Sequence, residues 1–276
     1  MKKLMLGMAI AAVGTALAAV ESSNVVGYNT LTIKPGWNML AVNFKDVSNT
    51  EGILLNDLFL GTGDEATCPF TAGGNGNTAD NIQIFNADTQ EYTLYYLYYT
   101  TKTTSAQLAR KYRWNTGSAV ATTRLHNGDS MWFLSRSDHD VQMNVSGEVE
   151  LAAVSNITIR TGWNMIGSFF PDGWKVNDDA SGYTQEFWEN SGAQAGGNGN
   201  TADNIQVFNA ATQEYSLYYL YYTTKTTSAQ LARKYRWNTG SSVATGSIMA
   251  PGQGAWYLHR GSGFTLPIKN QTGLVK

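Results

Sequence analysis

The chain has few of the residues on which disulfide, metal and catalytic chemistry depend. Of 276 residues, one is cysteine, three are histidine and five are proline. The single cysteine, Cys68, excludes an intrachain disulfide, and we interpret it as a spare thiol rather than an intermolecular link. His126, His139 and His259 have no second histidine or cysteine at metal-ligand spacing, so we predict neither a metal site nor a cofactor.

Catalytic motifs are missing as well. There is no Gly-x-Ser-x-Gly nucleophile elbow, no Gly-Lys-Ser/Thr phosphate loop, and no convincing histidine partner for Cys68. Glu91 and Glu214 each stand beside a predicted turn, where solvated carboxylates are usual. We therefore predict no catalytic residue and no enzyme, although a hydrolase with acids distant in sequence stays an alternative.

Charge is sparse, and long apolar runs are confined to the N-terminus. Charged residues make up 14% of the chain, with no basic excess of the kind that nucleic-acid binding needs. Lys2 and Lys3, the apolar run 4–13 and a small-residue cleavage site at 16–18 predict a signal peptide over residues 1–18. We expect an exported protein, extracellular, at the cell surface or periplasmic, whose mature chain has no membrane span.

What the chain does contain is an internal repeat. Residues 22–150 and 151–276 are predicted to form two domains of a normal size. The segments 72–122 and 195–245 differ at only four positions, which are Ile84/Val207, Asp88/Ala211, Thr93/Ser216 and Ala119/Ser242. Recent duplication explains this near-identity most simply, and a shared partner for both copies is the alternative.

Turn signals at close spacing predict short strands throughout both repeats. Pro35-Gly36 separates two strand patterns, and Asn86 to Gln90 separates Ile82/Ile84 from a tyrosine-rich strand. This pattern predicts an all-β fold of two tandem β-sandwich-like or partly open barrel repeats. Gly73 to Asn77 resembles a calcium-binding glycine repeat, but Asn77 stands where the acidic ligand belongs, so we interpret this segment as a plain turn.

The stretch from Tyr92 to Thr100 is the most unusual of the chain. In a strand, its alternate faces carry Tyr92, Leu94, Tyr96 and Tyr98 on one side and Tyr95, Leu97 and Tyr99 on the other. Neither face has the polar character of a wet strand surface, so one face is expected in the core and the other under a second layer. A loop of the same domain, the sister repeat, another subunit or a ligand would each supply that layer.

These aromatic residues are the predicted partner surface. The set comprises Tyr95, Tyr96, Tyr98, Tyr99 and Trp114, repeated as Tyr218, Tyr219, Tyr221, Tyr222 and Trp237. We expect a structural or interaction protein of the cell surface or extracellular matrix that associates through its aromatic hairpins, within the molecule or between copies. A carbohydrate-binding module for an extracellular glycan is the alternative. Four other tryptophans are assigned to the core, namely Trp37, Trp132, Trp163 and Trp256.

A framework of short motifs runs through the mature chain. It consists of Val25 to Tyr28, Gly36-Trp-Asn-Met39, the tyrosine hairpin, Gly128 to Leu134 and Gly147-Glu-Val149. This framework resembles uncharacterised secreted β-repeat proteins of planctomycete–verrucomicrobia type. The resemblance implies an extracellular or surface location and brings no catalytic residue with it.

Overall fold

The structure, a computed structural model, describes residues 25–47 and 51–274. The fold is all-β, with antiparallel sheets arranged in two similar halves, and no sheet closes into a barrel within these residues. The prediction of two sandwich-like β-repeats is therefore confirmed. The predicted signal peptide, residues 1–18, lies outside the described residues, and the domain boundaries at residues 22–150 and 151–276 stay a prediction.

Within residues 25–47 and 51–150, the first repeat contains ten strands and two short helices. The strands are β1 (Val26–Ile33), β2 (Gly36–Ala41), β3 (Ile53–Leu54), β4 (Asn81–Asn86), β5 (Glu91–Leu97), β6 (Trp114–Thr116), β7 (Ala119–Val120), β8 (Arg124–Leu125), β9 (Ser130–Ser135) and β10 (Val141–Glu148). The helices are α1 (Leu55–Leu58) and α2 (Ser105–Leu108).

The second repeat follows the same plan. Its strands are β11 (Val154–Ile159), β12 (Gly162–Gly167), β13 (Asn204–Asn209), β14 (Glu214–Leu220), β15 (Trp237–Thr239), β16 (Ser242–Val243), β17 (Gly254–His259) and β18 (Phe264–Lys269). Its helices are α3 (Gln185–Asn190) and α4 (Ser228–Leu231), with a 3₁₀ turn at Asp179–Ser181. No helix among the described residues has both the length and the apolar character needed to cross a membrane.

Each repeat is built on one six-stranded sheet. The strand order is β2-β9-β4-β5-β6-β7 in the first repeat and β12-β17-β13-β14-β15-β16 in the second. The two-stranded sheets β1-β10 and β11-β18 supply the second layer. Strand β10 shows the alternation that this layer requires, because Val141, Met143 and Val145 are buried while the residues between them are exposed.

The inner faces of the two layers enclose a separate apolar core in each repeat. In the first repeat, Ile33 and Met143 of the small sheet share a cluster with Ile82, Leu97 and Phe133 of the large sheet. The second repeat has its own cluster, which includes Ile159, Ile205, Leu220, Tyr257 and Leu266. Since strand side chains alternate, the opposite face of each large sheet points away from its own core.

An asparagine in the segment before each hairpin binds the large sheet; Asn56, in α1, is buried and Asn177 is half-buried. The Asn56 amide accepts a hydrogen bond from the Trp114 backbone N–H (2.7 Å) and donates to the Ala121 carbonyl (3.0 Å). Asn177 makes the equivalent bonds to Trp237 (3.0 Å) and Ala244 (2.9 Å). The two asparagines lie in segments with little sequence similarity, and only the structure reveals their equivalence.

Candidate functional site

The outer faces of the two large sheets pack against each other. The contact, which we call the seam, is a cluster formed by residues of both repeats: Trp37, Met39, Phe85 and Trp132 from the first, and Trp163, Met165, Phe208, Ala210 and Trp256 from the second. The tyrosine hairpins end at this surface. The seam therefore joins the two repeats through side chains that neither repeat buries in its own core.

Aromatic rings cross the seam in two matching contacts. Phe85 meets the edge of Trp256 at a centroid distance of 4.9 Å, and Phe208 meets Trp132 at 4.9 Å. Each tryptophan also packs on a second indole of its own repeat at 5.7 Å, Trp37 on Trp132 and Trp163 on Trp256. Edge-to-face pairs of this kind contribute about 0.5–1.5 kcal/mol beyond the burial of their area.

A glutamine at the tip of each hairpin binds the backbone of the other repeat. Gln213 accepts a hydrogen bond from the Trp37 N–H (3.0 Å) and donates to the Trp37 carbonyl (2.9 Å). Gln90 makes the same pair of bonds with Trp163, at 3.1 Å and 2.9 Å. Both glutamines have positive φ, 57° and 58°, a backbone conformation that is uncommon for residues other than glycine.

The Gly-Trp-Asn-Met motif is shaped to receive this glutamine. A Cβ on Gly36 would lie 3.1 Å from the Gln213 Oε1, and a Cβ on Gly162 would lie 3.2 Å from the Gln90 Oε1. Both glycines also have positive φ, which L residues with side chains rarely adopt. The glycine of each motif therefore serves the turn and the close approach of the opposite hairpin.

Backbone hydrogen bonds repeat the same reciprocity. The Ala41 N–H donates to the Gly252 carbonyl (2.8 Å), and the Gly167 N–H donates to the Gly128 carbonyl (3.1 Å). Equivalent residues thus exchange equivalent contacts across the seam, as in the isologous interface of a symmetric dimer. Within one chain, the arrangement is a pseudo-twofold pair.

One ion pair breaks this symmetry. The Arg160 guanidinium bonds to Asp88, and this contact holds the pKa of the Asp88 carboxyl below its usual value. Asp88 is one of the four positions at which the near-identical segments differ, and Ala211 occupies the equivalent place. Lys34, the counterpart of Arg160, pairs instead with Asp140 of its own repeat (2.6 Å). Because Asp88 and Arg160 are both exposed, we expect this pair to contribute little to docking.

The tyrosine strand is covered over only part of its length. The glycine-rich loop of the same repeat lies beside it, with a backbone bridge between Gly73 and Tyr98, just after β5, and with Gly76 near Leu94. The sister repeat approaches the start of the strand, where Tyr92 lies 6.3 Å from the Trp256 ring. The expectation that neither face is wet is wrong for residues 91–94, which are exposed on both faces of the strand.

The predicted surface residues of the first repeat lie mostly beyond the seam. Tyr95, Tyr98 and Trp114 are buried, and the Trp114 indole donates to the Phe59 carbonyl (2.9 Å). The half-buried Tyr96 donates its hydroxyl hydrogen to the Gly117 carbonyl (2.8 Å). Tyr99 is half-buried, and the Lys111 ammonium lies 4.7 Å from its ring centroid.

The second repeat places its equivalent residues similarly, except that the buried and half-buried members of the pair Tyr218 and Tyr219 are exchanged relative to Tyr95 and Tyr96. Trp237, Tyr219 and Tyr221 are buried, whereas Tyr218 and Tyr222 are half-buried. As a binding surface the ten residues stay a prediction, but Trp114 and Trp237, each at 0% exposure, offer no face for a ligand to stack on.

Sequence reasoning missed the residues that hold the repeats together. Trp37, Trp132, Trp163 and Trp256, expected in the domain cores, lie between the domains instead. Two features of the sequence could have indicated the seam. The Gly-Trp-Asn-Met motif is shared by the repeats although it lies outside the near-identical segment, and each hairpin turn ends in a glutamine, Gln90 or Gln213. Neither fact indicates by itself that the two features meet.

A polar cluster is buried in the second core. The His259 Nδ1 is 2.7 Å from Asp203, and its Nε2 is 2.8 Å from the Ser262 carbonyl, so both ring nitrogens have hydrogen-bond partners. Tyr257 also donates to Asp203 (3.0 Å). His259 and Asp203 are buried, so we assign this cluster a structural role.

An open cleft of about 320 Å³ lies beside the seam. It is lined by residues of both repeats: Trp37, Gln83, Tyr92 and Trp132 from the first, and Phe208 and Tyr215 from the second. Tyr92 and Tyr215 are the most accessible aromatic residues there, at 46% and 48% exposure. Burial raises the pKa of the Tyr92 hydroxyl, a hydrogen bond with the Trp132 indole opposes this, and nearby Tyr215 adds to it.

Comparison with known proteins gives no relative from which a role could be carried over. No family model matches the chain, and neither the curated proteins nor the solved structures include a match. The resemblance to secreted β-repeat proteins therefore stays a prediction.

Proposed function

We propose that the chain is an exported structural or interaction protein whose two β-repeats dock through their aromatic hairpins into one unit. The observation that carries this proposal is the reciprocal pair Gln213–Trp37 and Gln90–Trp163. Each repeat buries its exposed aromatic face on the other, so a face that would be an aggregation hazard if left open is covered within the chain.

The same geometry gives a route to self-assembly. Because the seam is self-complementary, a repeat released from its own partner presents the surface that another chain's repeat binds. The short connection between β10 and β11 keeps the two faces at high effective concentration, which favours the closed chain. Assembly through the seam then requires opening and exchange of repeats between molecules.

Light scattering coupled to size exclusion tests this proposal on residues 19–276. We expect a compact single chain at low concentration, and exchange dimers or larger species as concentration rises or after brief partial denaturation. Small-angle scattering that shows two independently moving repeats would contradict docking. A chain that stays monomeric under all these conditions would contradict assembly through the seam.

A carbohydrate-binding module is the second candidate. The observation that favours it is the cleft beside the seam, which combines the accessible rings of Tyr92 and Tyr215 with the side-chain amide of Gln83. Since Trp114 lies in the core, the stacking surface would be this cleft rather than the far end of the hairpin. A glycan array blank for the exported form would contradict this candidate.

A further inference from the structure

The cleft contains the side-chain amide of Gln83, whose equivalent in the second repeat is hydrogen-bonded. In the second repeat, Gln206 donates to the Asn204 Oδ1 (3.2 Å). In the first repeat, the equivalent Gln83 makes no side-chain hydrogen bond within residues 25–47 and 51–274, and the Asn81 Oδ1 is buried without a partner. The two amides therefore differ in their hydrogen bonding although the surrounding sequences are nearly identical, and Gln83 lines the cleft.

The lining determines which chemistry fits. Five aromatic side chains and one amide surround the space, and none of the lining residues carries a charge at neutral pH. Such a site offers ring faces to apolar C–H groups, and it offers phenol and amide groups to hydroxyls. An apolar pocket with a few convergent polar groups is the usual form of a small-molecule site.

We propose that this cleft binds one sugar ring of a neutral extracellular glycan, with Tyr92 and Tyr215 as stacking platforms and Gln83 as the hydroxyl-reading amide. A pyranose ring has the apolar faces and the hydroxyl rim that the lining complements. The uncharged lining disfavours an anionic sugar, because a buried carboxylate would have no counterion.

The site exists only when both repeats are docked. Phe208 and Tyr215 come from the second repeat, and the other four lining residues come from the first. The inference therefore rests on the proposed function, namely the docking of the hairpins. It would give the two-repeat architecture a purpose that a single repeat cannot serve.

Calorimetric titration of the mature chain with cellohexaose, laminarihexaose, maltohexaose and chitohexaose tests the proposal. We expect at least one of these neutral oligosaccharides to bind, and Gln83→Ala to weaken its binding about tenfold, the equivalent of one good hydrogen bond. Gln206→Ala is the matched control, because Gln206 has nearly the same sequence context as Gln83 but does not line the cleft. It should leave the affinity within about twofold of the wild type.

Three outcomes would overturn the proposal. The first is no binding of any of the four oligosaccharides, and the second is equal weakening by Gln83→Ala and Gln206→Ala. The third is sugar binding that stays unchanged while tetramethylammonium occupies the cleft, which would place the sugar elsewhere and identify the cleft as an aromatic cage for cations. Docking is measured separately, by amide exchange at Trp37 and Trp163. If the wild-type chain binds none of the four oligosaccharides while those amides are protected, the cleft proposal alone is overturned.

Discussion

Gln213 binds both backbone polar groups of Trp37, at 3.0 Å and 2.9 Å, from a position 176 residues further along the chain. The contact pairs the hairpin tip of one repeat with the first strand of the large sheet in the other. Its mirror image, Gln90 with Trp163, makes the arrangement reciprocal. Each glutamine side chain is also held within its own turn, because Gln90 donates to the Ala87 carbonyl (2.7 Å) and Gln213 donates to the Ala210 carbonyl (2.6 Å).

The aromatic contacts of the seam should be energetically coupled. In a double-mutant cycle, Phe85→Leu and Trp256→Leu are expected to show a coupling free energy of about 1 kcal/mol, because their rings meet edge to face. Urea denaturation of the four variants measures it. Phe85→Leu combined with Tyr28→Leu, at a residue 82% exposed on the β1-β10 sheet, should be additive. An additive Phe85–Trp256 pair would contradict ring contact across the seam.

The paired asparagines should be costly to remove. Asn56→Ala leaves the backbone of Trp114 without its partner in the core, and we expect a loss of about 2–3 kcal/mol in the free energy of unfolding. Asn177→Ala should cost a similar amount, because its bonds to Trp237 are equivalent. Asn77→Ala, on the exposed glycine-rich loop, is the control and should change little. Equal effects of Asn56→Ala and Asn77→Ala on the free energy of unfolding would contradict the structural role of the Asn56 hydrogen bonds.

Buried tyrosines should make the protein sensitive to alkali. Burial raises the pKa of Tyr183 to about 12, and burial with the nearby Asp203 raises that of Tyr257. An unfolded tyrosine ionises near pH ~10, so the folded state binds more protons above that pH. The resulting stability is complete below pH ~10 and is lost as the pH rises towards the folded pKa values.

Tyrosinate absorbance in the near ultraviolet measures this effect. We expect a late group of tyrosines to ionise together with unfolding, and Tyr183→Phe to shift the alkaline unfolding midpoint upwards. Ionisation of all tyrosines near their usual pKa in a chain that stays folded would contradict the buried environments of Tyr183 and Tyr257.

The all-β class and the internal repeat follow from the sequence because turn residues and alternation are local signals. The hairpin of β4 and β5 was predictable from Asn86 to Gln90 for the same reason. The seam was not, because it depends on where two chain segments meet after folding. Trp37 and Trp132 lie in apolar strand segments that look like core strands when the sequence is examined locally. Only the folded structure shows that their side chains face the sister repeat.

The contacts of the tyrosine strand could also be predicted only in part. Its two apolar faces predicted burial on both sides, and this is wrong for residues 91–94, which are exposed. The contacts that these residues do make depend on the placement of the glycine-rich loop near Leu94 and of the second repeat near Tyr92. The cleft could not be predicted either, because Gln83 and Gln206 have nearly the same sequence context, and only the structure shows that their side chains make different contacts.

Amide hydrogen exchange at Trp37 and Trp163, followed by NMR, measures the reciprocal docking of the repeats. We expect slow exchange at both amides in the wild type, because each N–H donates to a glutamine of the other repeat. Gln213→Asn, which accepts the positive φ but is too short to reach, should release Trp37 alone, and Gln90→Asn should release Trp163 alone. Fast exchange of both amides in the wild type, or protection that neither substitution changes, would contradict reciprocal docking.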